Sequence, residues 1–198
     1  SDTTVPWREG RWWYYQRTWE GKQYPAMFRV PAQGEDRPDL SSPVAEQCVW
    51  DGNVLSDGEE FFSSSGFSPS PDGSLGALGV DYSGDEHFRL RIFEIETGYV
   101  VDEVVDGLAY GMAWTADSEN IAYARVDDSW RSWQIWLHAV GTPASDDVLL
   151  FQEDDDRFDV WPTASRDGKW IVVTSASRST TEVRLFATAQ PHAEPIVV

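Results

Sequence analysis

Ser70-Pro71-Asp72-Gly73, followed by the apolar run Leu75 to Val80, is the stretch whose reading decides the fold of this chain. A tight corner leads straight into a short strand-like segment. The same phrase returns as Thr115-Ala116-Asp117-Ser118 before Ile121-Ala122-Tyr123-Ala124. It returns again as Ser165-Arg166-Asp167-Gly168 before Trp170 to Thr174. A degenerate copy, Arg8-Glu9-Gly10 before Trp12-Trp13-Tyr14-Tyr15, opens the chain. The three corner aspartates lie 45 and 50 positions apart. Asp-Gly suits tight turns because both residues tolerate positive φ and the carboxylate can accept from backbone amides two residues on. A period of this size, with strands on both sides of each corner, fits the four-stranded blade of a β-propeller. A catalytic residue is needed once and a structural one in every repeat. Asp72, Gly73, Asp117, Asp167 and Gly168 are therefore expected to hold turns.

The segments between corners read as strands. Phe88 to Ile95 alternates apolar and polar residues, Glu96-Thr97-Gly98 turns the chain, and Val100 to Val105 begins another strand. The next unit repeats this with Ser132 to Ala139, a turn at Gly141-Thr142-Pro143, then Val148 to Phe151. The last offers Thr181 to Phe186, a turn around Gln190-Pro191, then Pro195 to Val198. The first unit is looser, with strands expected at Arg11 to Arg17 and Tyr24 to Val30 and a polar loop from Ala32 to Gln47. No segment carries a long 3.6-residue apolar period. The expected fold is all-β, a partial propeller of about four blades, at roughly 5–60, 61–108, 109–157 and 158–198.

Composition agrees: 41% hydrophobic and 14% aromatic residues place the chain far from disorder. Its 11 Trp are expected mainly to fill gaps between twisted sheets. Trp133 and Trp136 are odd-spaced on one strand and so face opposite ways, which argues against a shared stacking platform. Fifteen basic against 34 acidic residues give a net charge of −19. Such a field repels phosphate backbones and attracts cations, so nucleic acid is an unsuitable partner and basic peptides a suitable one, while plain solubility accounts for the charge equally. The densest acidic run, Glu153-Asp154-Asp155-Asp156, reads as a loop and as candidate acids of a channel or its rim. It lacks the spacing of a calcium loop, and neither metal nor cofactor is expected.

Cys48 is the single cysteine, which excludes an intrachain disulfide and favours a reducing compartment. With no 18-residue apolar run and no signal-like start, the expectation is a soluble, cytoplasmic protein with no membrane partner. Catalytic motifs are missing. Gly66-Phe67-Ser68-Pro69-Ser70 fails the nucleophile-elbow pattern at its last position, and His87, His138 and His192 belong to no catalytic or zinc motif.

The order of motifs along the whole chain resembles the N-terminal propeller of the prolyl oligopeptidase family of serine peptidases, and within it the oligopeptidase B branch. The resemblance rests on Val5-Pro6-Trp7-Arg8, Trp13-Tyr14-Tyr15-Gln16-Arg17 and Glu20-Gly21-Lys22-Gln23-Tyr24-Pro25. It continues through Ser68 to Gly73, Asp81 to Glu86, Trp133 to His138, Gly141-Thr142-Pro143, Asp146 to Leu149, Arg157-Phe158 and Thr180 to Leu185. The corner alone is weak, since many propellers use it; the combined order is specific.

The resemblance implies a seven-bladed propeller that restricts entry to an α/β-hydrolase domain carrying a Ser-Asp-His triad, with cleavage after Lys or Arg. This chain holds about four blade-like units and no hydrolase domain, so no catalytic residue of the family transfers to it. Its implied partners are the hydrolase domain, the remaining blades and short basic peptides. The open faces of terminal blades, with Trp13, Tyr15, Val183 and Leu185, suggest self-association as well. Two other readings stay open: a free-standing propeller that binds proteins, and a propeller that binds or cleaves glycans.

Overall fold

Seventeen strands account for nearly all regular structure in the computed structural model, which describes residues 1–104 and 107–198. In chain order they are β1 (Asp2–Thr3), β2 (Trp7–Glu9), β3 (Trp12–Thr18), β4 (Ala26–Pro31) and β5 (Gln47–Asp51). Then follow β6 (Ser63–Pro69), β7 (Leu75–Asp81), β8 (Arg89–Glu94) and β9 (Val100–Val104). The third group is β10 (Leu108–Trp114), β11 (Asn120–Val126), β12 (Ser132–Ala139) and β13 (Val148–Gln152). The last is β14 (Asp159–Ala164), β15 (Trp170–Ala176), β16 (Thr181–Ala187) and β17 (Ile196–Val197). One helical turn, α1 (Gly52–Leu55), follows β5; Asp51 caps it by accepting from the Asn53 amide.

Each group is an antiparallel meander, so the chain forms four sheets. In the first, β1 and β2 both pair with β3 and together make one interrupted edge strand. The sheets stack face to face as a partial β-propeller. The strands β6, β10 and β14 lie side by side at its inner edge.

Three cores fill the spaces between sheets. Tyr14, Met27 and Trp50 meet Leu78, Val80, Phe93 and Ile95 between the first and second. Ala77, Leu90 and Ile92 meet Trp114, Ile121 and Tyr123 between the second and third. Ala122, Ile135 and Leu137 meet Val160, Ile171, Val173 and Phe186 between the third and fourth. Each fully buried Ile or Leu contributes about 2 kcal/mol by area removed from water. Strand β8 shows why alternation understated burial: Leu90 and Ile92 enter one core and Phe93 the other, because the second sheet is covered on both sides.

The corners join β6 to β7, β10 to β11 and β14 to β15 with one hydrogen-bond pattern. The Asp carboxylate accepts from an amide two residues on: Ser74 to Asp72 at 2.9 Å, Glu119 to Asp117 at 2.9 Å, Lys169 to Asp167 at 3.1 Å. It also accepts from the hydroxyl that opens the corner, Ser70, Thr115 or Ser165, at 2.6–2.7 Å. That hydroxyl in turn accepts from the first residues of the next strand, Leu75, Asn120 or Trp170. The position after Asp is left-handed in all three: φ is +76° at Gly73, +70° at Gly168 and +62° at Ser118. A serine at such a φ is strained. Its hydroxyl, however, accepts from the Asp72 amide at 3.1 Å and so ties the third sheet's corner to the second's. Gly10 approaches the Pro71 carbonyl too closely to carry a side chain, which puts the degenerate opening copy in the same row of corners.

The two terminal faces differ. The outer face of the first sheet is covered: Trp13, Tyr15 and Val30 pack with Phe28, Ala32 and Leu40 beneath the 32–46 loop. The Tyr15 hydroxyl donates to Glu46, whose carboxylate also pairs with Arg17 at 2.8 Å. Trp13 and Tyr15 are thus buried, against the expectation of exposure, because the chain folds its own polar loop over them. The outer face of the fourth sheet, with Trp161, Val172, Val183, Leu185 and Ile196, has no such cover and is half-buried to exposed.

Candidate functional site

At the ends of the inner strands opposite the corners lies a cleft of about 800 Å³. Its floor comes from the starts of three blades: Ser63 to Ser65 of β6, Leu108 to Tyr110 of β10, and Asp159 to Trp161 of β14. Its walls come from the turns after β7 and β11, with Glu86, Phe88 and Trp130.

The local geometry follows from glycines placed inside strands. In β6 the extra residue Gly66, at φ +65°, bulges the strand between Ser65 and Phe67. In β10 the register slips between Leu108 and Met112 around Gly111, at φ +100°. Pro162 of β14 crosses so near Gly111 that a Cβ there would stand 3.1 Å from its ring. Bulges re-aim neighbouring side chains, and Tyr110 in the slipped segment is 80% exposed.

The acids of the cleft fall into two kinds. Asp81 is buried, and its carboxylate accepts from the amides of Ser83, Gly84 and Glu86 and the hydroxyl of Ser83. Burial opposes its charge, but these donors outweigh burial and hold its carboxyl below the usual aspartate range. Asp81 thereby shapes the turn that carries Glu86. Glu86 and Asp159 are exposed, and among the described residues neither carboxylate has a hydrogen-bond or ion-pair partner. Glu86 at φ +62° and Trp130 at φ +64° are two non-glycine residues in the left-handed region, and both line the cleft. Held strain of this kind clusters at ligand sites. The Trp130 ring packs on His87 with centroids 4.6 Å apart, joining the walls of two blades.

The acidic run stands elsewhere. Asp155 pairs with Arg157 at 2.5 Å, and that hydrogen bond brings its carboxyl down to about 2. Glu153 accepts from Ser175 at 2.9 Å and Asp154 from Gln152 at 2.7 Å. Arg131 holds the same connection through the carbonyls of Glu153, Asp155 and Phe158. Glu153, Asp154 and Asp155 therefore brace the passage from β13 to β14, and none of the four acids of the run lines the cleft. Sequence reasoning singled out this density and passed over Glu86 and Asp159, which are far apart in the chain. Gly66 and Gly111, inside strand-like runs, were the available signal.

His138 is structural. His138 is buried, with Nδ1 2.6 Å from Asp147 and Nε2 3.1 Å from Asp102. Tyr123 donates to the other oxygen of Asp147 at 2.5 Å. Both ring nitrogens are occupied by carboxylates, so His138 bridges the second and third sheets and has none left to activate a nucleophile. Among the described residues no serine hydroxyl bonds a histidine ring, no group of three or more His, Cys, Asp or Glu is disposed to hold a metal ion, and no helix is long and apolar enough to cross a membrane.

Four stacked antiparallel sheets with a cleft at their inner edge define a partial β-propeller. The chain belongs to the family described as the prolyl oligopeptidase N-terminal beta-propeller domain, whose model matches residues 1–198. It is 31% identical over 199 residues to dipeptidyl aminopeptidase BI of Pseudoxanthomonas mexicana, covering 96% of this chain and 28% of that protein. It is 31% identical over 193 residues to protease 2 of Moraxella lacunata, with the same coverage. Among solved structures, oligopeptidase B of Leishmania major superposes with a TM-score of 0.85 at 27% identity, over 100% of this chain and 27% of that one. Oligopeptidase B of Trypanosoma brucei, in a closed form with covalently bound antipain, gives 0.81 at 31% identity, over 98% and 27%. The chain thus spans little more than a quarter of the length of these relatives.

Proposed function

We propose that this chain is the substrate-gating propeller segment of a longer serine peptidase that cleaves short peptides after Lys or Arg. The observation that carries the reading is the family match over the whole chain, with relatives named as peptidases. In this reading the propeller rim restricts what reaches a hydrolase domain elsewhere in the protein, and the acidic surface raises the local concentration of cationic peptides. The chain contributes admission and orientation, and no bond-breaking group.

The test compares the 198-residue chain with the longer protein on peptide coumarin amides ending in Arg, Lys, Pro or Ala. The longer protein is expected to cleave the Arg and Lys amides and to lose activity to a serine-directed inhibitor, while the chain alone releases no coumarin. Turnover by the chain alone, or a longer protein that favours Pro or Ala, would overturn the proposal.

A further inference from the structure

We propose that the cleft at the inner ends of β6, β10 and β14 binds the cationic side chain of a peptide, arginine in preference to lysine, with Glu86 and Asp159 as its carboxylates and Trp130 and Tyr110 as its stacking surfaces. This rests on the reading of the chain as a peptide-admitting propeller and gives that reading a location. Among the described residues the lining holds three acids, Asp81, Glu86 and Asp159, and no Lys, Arg or His. Asp81 is consumed by its own turn. Glu86 and Asp159 are left unpaired in a chain of net charge −19, so a cation is the occupant that complements the cleft.

The aromatic walls narrow the choice of cation. Tyr110 and Trp130 are among the large apolar side chains that this molecule exposes, and both line the cleft. A guanidinium can lie on an aromatic face while its edge donates two parallel hydrogen bonds to a carboxylate; an ammonium is a point charge with a tightly held water shell. The molecule already lays guanidinium groups on aromatic faces: Arg29 sits 3.8 Å from the Trp12 centroid while donating to the Gln47 amide oxygen at 2.8 Å, and Arg125 sits 4.5 Å from that of Trp136 while donating to the Tyr123 hydroxyl at 2.8 Å. The cleft presents aromatic faces of the same kind beside carboxylates. Packing on His87 holds the Trp130 ring in the cleft wall before any ligand arrives.

The experiment is a polarisation titration of the 198-residue chain with fluorescein-labelled Gly-Arg-Gly-Arg-Gly, its lysine counterpart, and its citrulline counterpart, which keeps the shape and removes the charge. The expected order is arginine, then lysine, then citrulline, with citrulline about tenfold or more weaker. The double variant Glu86→Gln, Asp159→Asn is expected to weaken the arginine peptide about tenfold, and Trp130→Gly to weaken it while relieving its backbone strain. The matched double variant Asp154→Asn, Asp156→Asn, on the neighbouring connection, is expected to leave binding unchanged. Circular-dichroism melts establish that each variant is folded. Equal binding of arginine and citrulline peptides, no binding at all, or equal losses from the two double variants would overturn the proposal. The peptidase assay is separate: a longer protein that cleaves after Arg while the chain fails this titration keeps the peptidase reading and loses the cleft.

Discussion

The outer faces of the first and fourth sheets carry similar residues and end differently. Trp13, Tyr15 and Val30 on one, and Trp161, Val172, Val183 and Leu185 on the other, are the apolar halves of ordinary alternating strands. On the first sheet Tyr15 is fully buried; on the fourth Trp161 is 37% exposed and Ile196 52% exposed. The strands do not account for the difference. It comes from 15 residues between β4 and β5, which lay Leu40 over the aromatic face and fasten Glu46 to Tyr15 and Arg17. The fourth sheet has only short turns and leaves its face available to whatever stacks next in a propeller. A strand pattern reports that a face is apolar; what covers it depends on connections elsewhere.

The contrast can be broken most directly by truncation. Tyr15→Ala should cost about 3–5 kcal/mol, since it empties a buried aromatic site and removes the phenol donor from Glu46, which keeps only Arg17. Leu185→Ala on the open face should cost about 1 kcal/mol or less, because its side chain already meets solvent. Urea denaturation of both variants checks this, and equal losses would mean that the two faces are alike.

The second test concerns association. The open face of the fourth sheet should make the chain self-associate weakly at low ionic strength and bind an apolar dye, and Leu185→Asp should remove both effects. Sedimentation velocity at several concentrations and salt levels is the measurement. Association that persists in Leu185→Asp would move the contact to another surface.

Smaller effects come from the corners, which lie away from both faces. Asp72→Asn should cost about 1 kcal/mol, the low end for a lost charged hydrogen-bond acceptor because solvent screens the site. Asp167→Asn, at a fully exposed corner, should lower the melting temperature by less. Burial opposes the charge of Asp72, but Ser70, Ser74 and Ser118 outweigh it; Ser165 and the Lys169 amide do the same at Asp167, and both carboxyls titrate below the ordinary value. A depressed carboxyl stabilises the fold fully above its unfolded pKa. That contribution is lost as pH falls through the folded value, so stability should drop below about pH 4, and less steeply in Asp72→Asn. Denaturation midpoints from pH 6 to pH 2 test the sign.

The smallest effect separates strain from linkage. Ser118→Ala keeps the left-handed strain and loses the bond to the Asp72 amide, at about 1 kcal/mol. Ser118→Gly loses the same bond but relieves the strain, so its net change should be a few tenths of a kcal/mol. A larger loss in Ser118→Gly than in Ser118→Ala would show that the hydroxyl is not what joins the two corners.

The corners were legible because their hydrogen bonds close within six residues, so the sequence must carry every participant in one short phrase. Strand order was legible for a related reason: apart from β1, which pairs β3 rather than β2, neighbours in each sheet are neighbours in the chain. Ser118 marks where this stops. Read alone it is a poor substitute for glycine; in the fold it reaches a corner 46 positions away. The covering loop over Tyr15 and the cleft lined by Glu86, Trp130 and Asp159 also escaped, because their members come from separate segments or separate blades and no spacing records their meeting. The amino-acid order by itself determined the repeat, most strands, the corners and the negative charge, all of which depend on near neighbours. Tertiary structure alone decided which apolar face is covered and which carboxylates are left without a partner, because burial and pairing are settled by groups that only the stacking of the sheets brings together.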